Sequence, residues 1–188
     1  MPLIGIVGHK RAGKDTVADI LMPMFHGFSR KYAVADPLKE AVKAIFRFTD
    51  AEMEDKETPV ARLGISPREA LQKIGTDVVR KQFADLFPKL KPKNMWIHAL
   101  EHEIAECKDG LFIVPDVRFE DEARCIRANK GLLIRVYRKS ADSVLDSHAS
   151  EAGVDAIKAD IEIHNDGTIE ELTEKIHELR GRLIGNSN

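Results

Sequence analysis

Cysteine is scarce: Cys107 and Cys125 are the two in a chain of 188 residues, and they form no C-x-x-C pair. That scarcity excludes a disulfide framework and a structural zinc site, and it fits a reducing compartment. Long apolar runs are missing too. The longest, Leu3 to Val7 and Leu111 to Val114, fall far short of the roughly 20 residues that a bilayer-spanning helix needs. The first residues lack the charged-then-apolar layout of a signal peptide. The expectation is a cytoplasmic protein with no membrane partner. There is also no excess of one charge sign, because 29 Lys and Arg stand against 31 Asp and Glu for a formal net charge of −2. Without a general electrostatic drive, no nucleic-acid partner is expected, and any anion must be bound locally. What the chain does contain is enough to fold. Its 43% hydrophobic and 32% charged residues lie outside the disordered class, and its length fits one domain with a substantial core.

Apolar periodicity orders the elements. Pro2 to Gly8 is a short apolar run closed by glycine, the pattern of a strand buried on both faces. From Lys14 the spacing of Val17, Ile20 and Leu21 is helical until Pro23 and Gly27 interrupt it. Phe28 to Val34 reads as a second strand. Asp36-Pro37 then opens a helix whose apolar stripe is Leu38, Ala41, Val42, Ile45 and Phe46. Residues 49–65 are acidic and turn-rich without a clean period, and read as an exposed excursion. Ser66-Pro67-Arg68-Glu69 carries a capping serine, a first-turn proline and a capping-box glutamate, which predicts a helix or a broken pair from Pro67 to about Phe87. Trp96, Leu100 and Ile104 place another helix over 94–107. Leu111 to Val114 is a third strand, followed by Pro115-Asp116-Val117-Arg118 and a helix to about Asn129. Leu132 to Tyr137 and Ile161 to Ile163 supply two more strands. Thr168 caps a last helix with Ile169, Leu172, Ile176 and Leu179 on its buried face. Strands alternating with helices give an α/β fold, a parallel sheet covered on both sides.

The segment Gly8-His9-Lys10-Arg11-Ala12-Gly13-Lys14-Asp15-Thr16 fits G-x-x-x-x-G-K, with Asp where Ser or Thr is usual. It leaves a strand and enters a helix, the context in which inward-turned amides and a helix start cradle phosphate while the lysine reaches the outer phosphates. The reading is a nucleoside triphosphate site. Asp15 or Thr16 is expected to contact Mg²⁺, the alternative for Asp15 being a first-turn residue that complements the helix dipole. Lys10 either faces a second phosphate or is a solvated loop charge. An oligomeric motor needs a longer chain, and the N-K-x-D motif of a GTPase is absent, so a small-molecule kinase remains. Phosphoryl transfer calls for arginines around the loop, and Arg68, Arg80, Arg118 and Arg138 are candidates. Asp116 stands near a Walker-B position, where it could hold Mg²⁺ through water or orient an acceptor. Arg118 could grip a phosphate with two hydrogen bonds, and Glu122 lies one helical turn beyond. The plainer alternative is Asp116 as a helix N-cap with a surface pair of Arg118 and Glu122.

In this order the motifs resemble the deoxynucleoside monophosphate kinases of tailed bacteriophages. The likeness rests on residues 8–16, Ala35-Asp-Pro-Leu-Lys39, Ser66-Pro-Arg-Glu-Ala-Leu-Gln-Lys-Ile-Gly-Thr-Asp77 with Arg80, Asp116-Val-Arg-Phe119 with Glu122, His148-Ala-Ser-Glu151 and Ile163-His-Asn-Asp-Gly-Thr168. It implies a three-layer P-loop kinase fold with a five-stranded parallel sheet over residues 1–188. It also implies a monophosphate-binding helical region at 36–96, a lid-like segment at 138–158, and ATP and Mg²⁺ as the donor system. The acceptor it implies is a deoxynucleoside 5′-monophosphate, converted to the diphosphate; a homodimer is left open. Carried over by position, Arg11, Ala12, Gly13, Lys14, Asp15 and Thr16 hold ATP, with Arg138 and Asn165 beside it. Lys14, Asp116, Arg118 and Arg138 serve the transfer. The acceptor falls to Lys10, Asp36, Lys39, Arg68, Gln72, Asp77, Arg80, Trp96, Arg118, Glu122, His148 and Glu151. Plainer readings stay open: Trp96 as core beside Leu100, Gln72 and Asp77 as an exposed helix face, Asn165 to Thr168 as a turn, His148 as surface. The rival functions are another small-molecule kinase, of the phosphomevalonate or dephospho-coenzyme A type, and a non-catalytic nucleotide-binding module.

Overall fold

The computed structural model describes residues 1–25, 28–92, 94–142 and 153–185. The strands are β1 (Leu3–Val7), β2 (Ser29–Lys31), β3 (Leu111–Val117), β4 (Leu132–Tyr137) and β5 (Ile161–His164). The α-helices are α1 (Lys14–Leu21), α2 (Asp36–Phe46), α3 (Asp50–Glu54), α4 (Pro67–Gln72), α5 (Phe83–Leu86), α6 (Met95–Glu106), α7 (Glu120–Ala128), α8 (Lys139–Asp142) and α9 (Ile169–Gly185). Two compact units form: Met1–Ala33 with Ala99–Asn188, and Val34–His98.

The first unit is an α/β sheet domain. Its strands run β2-β3-β1-β4-β5, every neighbouring pair parallel, with β1 in the centre. Alternation along the strands decides the layers. Ile4, Ile6, Leu111, Ile113, Ile134, Val136, Ile161 and Ile163 share one buried cluster with Val17, Ala18 and Leu21 of α1 and Leu172, Ile176 and Leu183 of α9. On the other face α7 lies so close that a Cβ at Gly5 would come 2.5 Å from Ile126 Cδ1 and 2.7 Å from Leu133 Cδ2. Glycine at position 5 is what lets α7 approach. Each fully buried aliphatic side chain in these layers contributes about 1.5–3 kcal/mol from desolvation.

One irregularity bears on the site. Gly5 pairs with Val114 and Val7 with Val117, so β3 advances three residues while β1 advances two. The extra residue makes a bulge at Pro115-Asp116, a place where proline's missing N–H does no harm. The strand therefore runs to Val117 rather than ending at Val114. Other sequence expectations also need correction. β2 is shorter than 28–34, and Ile169 and Ile45, assigned to buried stripes, are 64% and 67% exposed. The excursion at 49–65 contains α3, held by a capping box in which Thr49 Oγ1 accepts the Glu52 N–H at 3.2 Å and Glu52 Oε2 accepts the Thr49 N–H at 2.8 Å.

The second unit is helical. Val42, Phe48, Val60 and Ala70 form its buried cluster, with Leu38, Phe46, Met53, Ile65, Leu71 and Ile74 partly buried around it. Ser66 caps α4 by accepting the Glu69 N–H at 3.1 Å. The stretch expected as one helix or a broken pair is not uniform: α4 passes into a π-helical stretch, Lys73–Gln82, before α5. Gly75 in that stretch is buried against Leu38, whose Cδ2 would lie 2.7 Å from an added Cβ. Among the described residues no helix is long and apolar enough to cross a membrane.

Candidate active site

The loop from Gly8 to Gly13 leaves the central strand and enters α1, at the carboxyl edge where open α/β sheets bind ligands. Its backbone is held in two unusual places. Arg11 has φ 68 and Gly13 has φ 96, both left-handed, a conformation that costs a non-glycine residue free energy and tends to persist at ligand sites. At Gly8 a Cβ would meet the Val136 carbonyl at 2.6 Å. Lys14 is 9% exposed, and its Nζ donates to the His9 carbonyl at 2.8 Å. The His9 ring is tethered through Nε2 to Asp155 Oδ1 at 3.0 Å. Lys10 and Arg11 are exposed on the loop, and Asp15 and Thr16 occupy the first turn of α1, exposed and half-buried respectively.

Asn165 follows β5 and is buried, with its Nδ2 donating to the Ala12 carbonyl at 2.9 Å. The sequence reading set it beside ATP or in a plain turn; here its amide is bonded to the phosphate loop.

The ends of β3 and β4 carry the other transfer candidates. Asp116 sits half-buried at the bulge, where strand irregularities commonly re-aim a side chain. Arg118 is half-buried, and its backbone N–H donates to Glu122 Oε2 at 2.9 Å. The Phe119 N–H donates to the same oxygen at 3.2 Å. Glu122, 3% exposed, thus caps α7 from its first turn, with Phe119 at the N-cap position; the plainer reading had given the cap to Asp116 and set Glu122 in a surface pair. Arg138 is exposed one residue past β4. The adjacent Lys139 N–H is anchored on Asp166 Oδ1 at 2.8 Å.

The acceptor candidates between 36 and 96 lie in the helical unit. Lys39 Nζ reaches Asp36 Oδ1 at 2.6 Å. Arg68 donates from Nε and Nη2 to Glu57 Oε1 at 3.2 and 3.0 Å, and its backbone N–H donates to the Lys56 carbonyl at 2.8 Å. Lys56 was passed over by the sequence reading. Partial burial, then the positive charges of Lys39 and Arg68, push its ammonium below the usual lysine range, so three cations share one neighbourhood. No local motif announces this, because the three come from α2, the loop after α3, and α4.

The other candidates in this unit are less concentrated. Asp77 pairs with Lys81 at 2.9 Å and Lys73 at 3.5 Å, and the Lys81 hydrogen bond is the main reason its carboxyl sits below the ordinary range. Its oxygens are engaged along its own helix. Gln72 closes α4, and Arg80 lies half-buried in the π-helical stretch. Trp96 is half-buried, and its indole N–H is a buried donor with no acceptor among the described residues. His148 and Glu151, with Ser150, lie outside the described residues, as does much of the 138–158 segment.

A family model described as deoxynucleotide monophosphate kinase matches residues 2–64 and 60–176. A protein of Acanthamoeba polyphaga mimivirus, provisionally named a deoxynucleotide monophosphate kinase, is 38% identical over 186 residues, covering 94% of each chain. The deoxynucleotide monophosphate kinase of Escherichia phage RB69 is 27% identical, covering 95% of this chain and 99% of its own. A solved shikimate kinase from Aquifex aeolicus is similar over 97% of this chain and 99% of its own, at 16% identity and a TM-score of 0.47.

Proposed function

The chain belongs to the deoxynucleotide monophosphate kinase family, and from that premise we propose that it transfers the γ-phosphoryl group of ATP to a deoxynucleoside 5′-monophosphate, yielding the diphosphate and ADP. The observation that carries the reading is the Gly8–Thr16 loop, bent out of the central strand with Lys14 folded over it. Backbone amides and a helix start bind anions in such a loop, and Lys14 neutralises charge on the outer phosphates.

In-line transfer needs little covalent help from the protein, because the acceptor phosphate is already ionised at neutral pH. Its demands are position and charge. We assign charge neutralisation on the donor side to Lys14 and Arg138. Arg118 would offer its guanidinium to the transferring group, and Asp116 would orient the acceptor. Acceptor binding falls to Lys39, Lys56 and Arg68, whose mutual repulsion an incoming phosphate would relieve; the sequence reading supplied two of the three. Asp15 and Thr16 fit Mg²⁺, since that ion takes only one or two protein oxygens and draws its other ligands from phosphate and water. When bound, it would offset charge on the phosphates. The cytoplasm, where both nucleotides are at hand, is the compartment in which we read the protein as working.

Incubation with Mg·ATP and each of the four common deoxynucleoside monophosphates, followed by separation of the products, tests the proposal. The expected result is acceptor-dependent formation of a deoxynucleoside diphosphate in step with ADP. No diphosphate from any of the four overturns it.

A further inference from the structure

A phosphate cradle works only if its amides point inward. In the Gly8–Gly13 loop the peptide joining Ala12 to Gly13 is one whose direction sterics alone do not fix. A peptide that precedes glycine flips at small steric cost, because glycine accepts φ of either sign. A flip would turn the Ala12 carbonyl, a negative dipole end, toward the phosphates and take the Gly13 N–H away from them.

The structure provides a lock for this peptide from far along the chain. Asn165 is 8% exposed, and its Nδ2 donates to the Ala12 carbonyl at 2.9 Å, across 153 residues of sequence. Asn165 is itself fixed by its backbone N–H, which donates to the Tyr137 carbonyl at 2.8 Å and so extends the β4–β5 pairing. Gly13 and Asn165 are matched in shape. A Cβ on residue 13 would lie 2.3 Å from Asn165 Nδ2, so the amide fills the room the glycine leaves.

We propose that Asn165 is a positioning residue for the donor nucleotide: by holding the Ala12 carbonyl outward it fixes the Ala12–Gly13 peptide plane and thereby aims the Gly13 N–H into the phosphate cradle. The peptide is planar and trans, so its carbonyl and N–H point in opposite directions, and anchoring one orients the other. The inference rests on the reading that this loop holds nucleotide phosphates, and it gives Asn165 a task that acts through the loop backbone. A second, more exposed tether acts on the same loop. Buried Arg135 holds the turn at 154–157 through the Val154 and Ile157 carbonyls, and Asp155 of that turn reaches His9.

The test compares wild type with Asn165→Asp and Asn165→Ala. The aspartate keeps the size of the side chain but sets an acceptor against the carbonyl; the alanine removes the contact. ATP binding is measured by calorimetry with Mg²⁺ present, and KM for each substrate by coupled assay, after a thermal melt shows which variants are folded. We expect the ATP dissociation constant and KM to rise at least fivefold while the acceptor KM stays within twofold. An ATP affinity changed less than fivefold in a folded variant overturns the inference, and so does an equal loss for both substrates. Should Asn165→Ala fail to fold, Asn165→Asp decides alone. A wild type that binds ATP and phosphorylates no deoxynucleotide would end the kinase reading and leave this comparison standing.

Discussion

The phosphate loop and the helical unit at 34–98 treat their polar groups in opposite ways. In the loop the partners are internal and largely buried: Asn165 on the Ala12 carbonyl, the His9 carbonyl under Lys14. In the helical unit the cations sit in partly exposed ion pairs, Lys39 with Asp36, Arg68 with Glu57, Lys81 with Asp77. Such pairs contribute little to stability, because water screens them. An arriving phosphate could displace the carboxylates at little cost. The hydrophobic support differs in the same sense, since among the described residues the sheet unit packs aliphatics from four strands with α1 and α9 into one large cluster, and the helical unit has a smaller one around Val42, Phe48, Val60 and Ala70. The contrast teaches a division of labour. On the proposed function, the loop as donor site benefits from being preformed and the helical unit as acceptor site benefits from yielding, because lower local stability permits rearrangement around a ligand.

The largest effect that could break this comparison is on transfer itself. Lys14→Met should lower kcat by about 10²–10³-fold or more, the scale of losing a preorganised charge at the reacting group. Its melting temperature should stay near that of wild type. Near-normal turnover would remove Lys14 from the chemistry. Next in size, Arg68→Ala should raise the acceptor KM by roughly 10- to 100-fold, the cost of about 1.5–3 kcal/mol for a lost charged hydrogen bond, with the ATP KM unchanged. Steady-state kinetics with each substrate varied in turn separates the two, and a rise in the ATP KM alone would place Arg68 on the donor side.

Stability offers a matched pair. Gly5→Ala drives a methyl into Ile126 and Leu133, both fully buried, and should cost about 1–3 kcal/mol by overpacking. Gly75→Ala meets the tip of half-buried Leu38, which can turn aside, so its cost in urea unfolding should be clearly smaller. Equal costs would deny that the helical unit yields more readily. The smallest effect concerns acid. The Arg62 hydrogen bond, then the Thr49 amide, hold the Glu52 carboxyl at about 2 against an ordinary 4.5. A depressed carboxylate stabilises the fold above its unfolded value, and that contribution is lost as pH falls from about 4.5 toward 2. Amide protection over 49–62, taken relative to the intrinsic exchange rate at each pH, should therefore fall through that window, and Glu52→Gln should flatten the dependence. An unchanged pH profile in the variant would show that another group is responsible.

How much of this was legible depended on whether the signal was local. The phosphate loop was, since its glycines and lysine are contiguous and their context is one strand and one helix. The strand series was too, apart from lengths. The helix α3 was written in the chain as Thr49-x-x-Glu52, a capping box that went unread because the stretch around it lacks a hydrophobic period. The bulge at Pro115-Asp116 could not be read, because it exists only as a mismatch of count between β3 and its neighbour β1. The π-helical stretch has no sequence signature. Ile45 and Ile169 fit helical stripes that proved wider than the surface available to cover them. Glu122 and Asp77 were placed at the acceptor by resemblance alone, and their hydrogen bonds to the Arg118 and Phe119 amides and to neighbouring lysines had no sign in the sequence.

Composition and the order of apolar and glycine-marked segments were enough to dictate an α/β sheet with an anion loop after its first strand, because hydrophobic period and backbone freedom are properties of consecutive residues. The partnership of Asn165 with Ala12, and the gathering of Lys39, Lys56 and Arg68, were decided only when the chain closed on itself. Hydrogen bonds and charge repulsion act over a few ångströms of space, and separation along the sequence does not fix that distance.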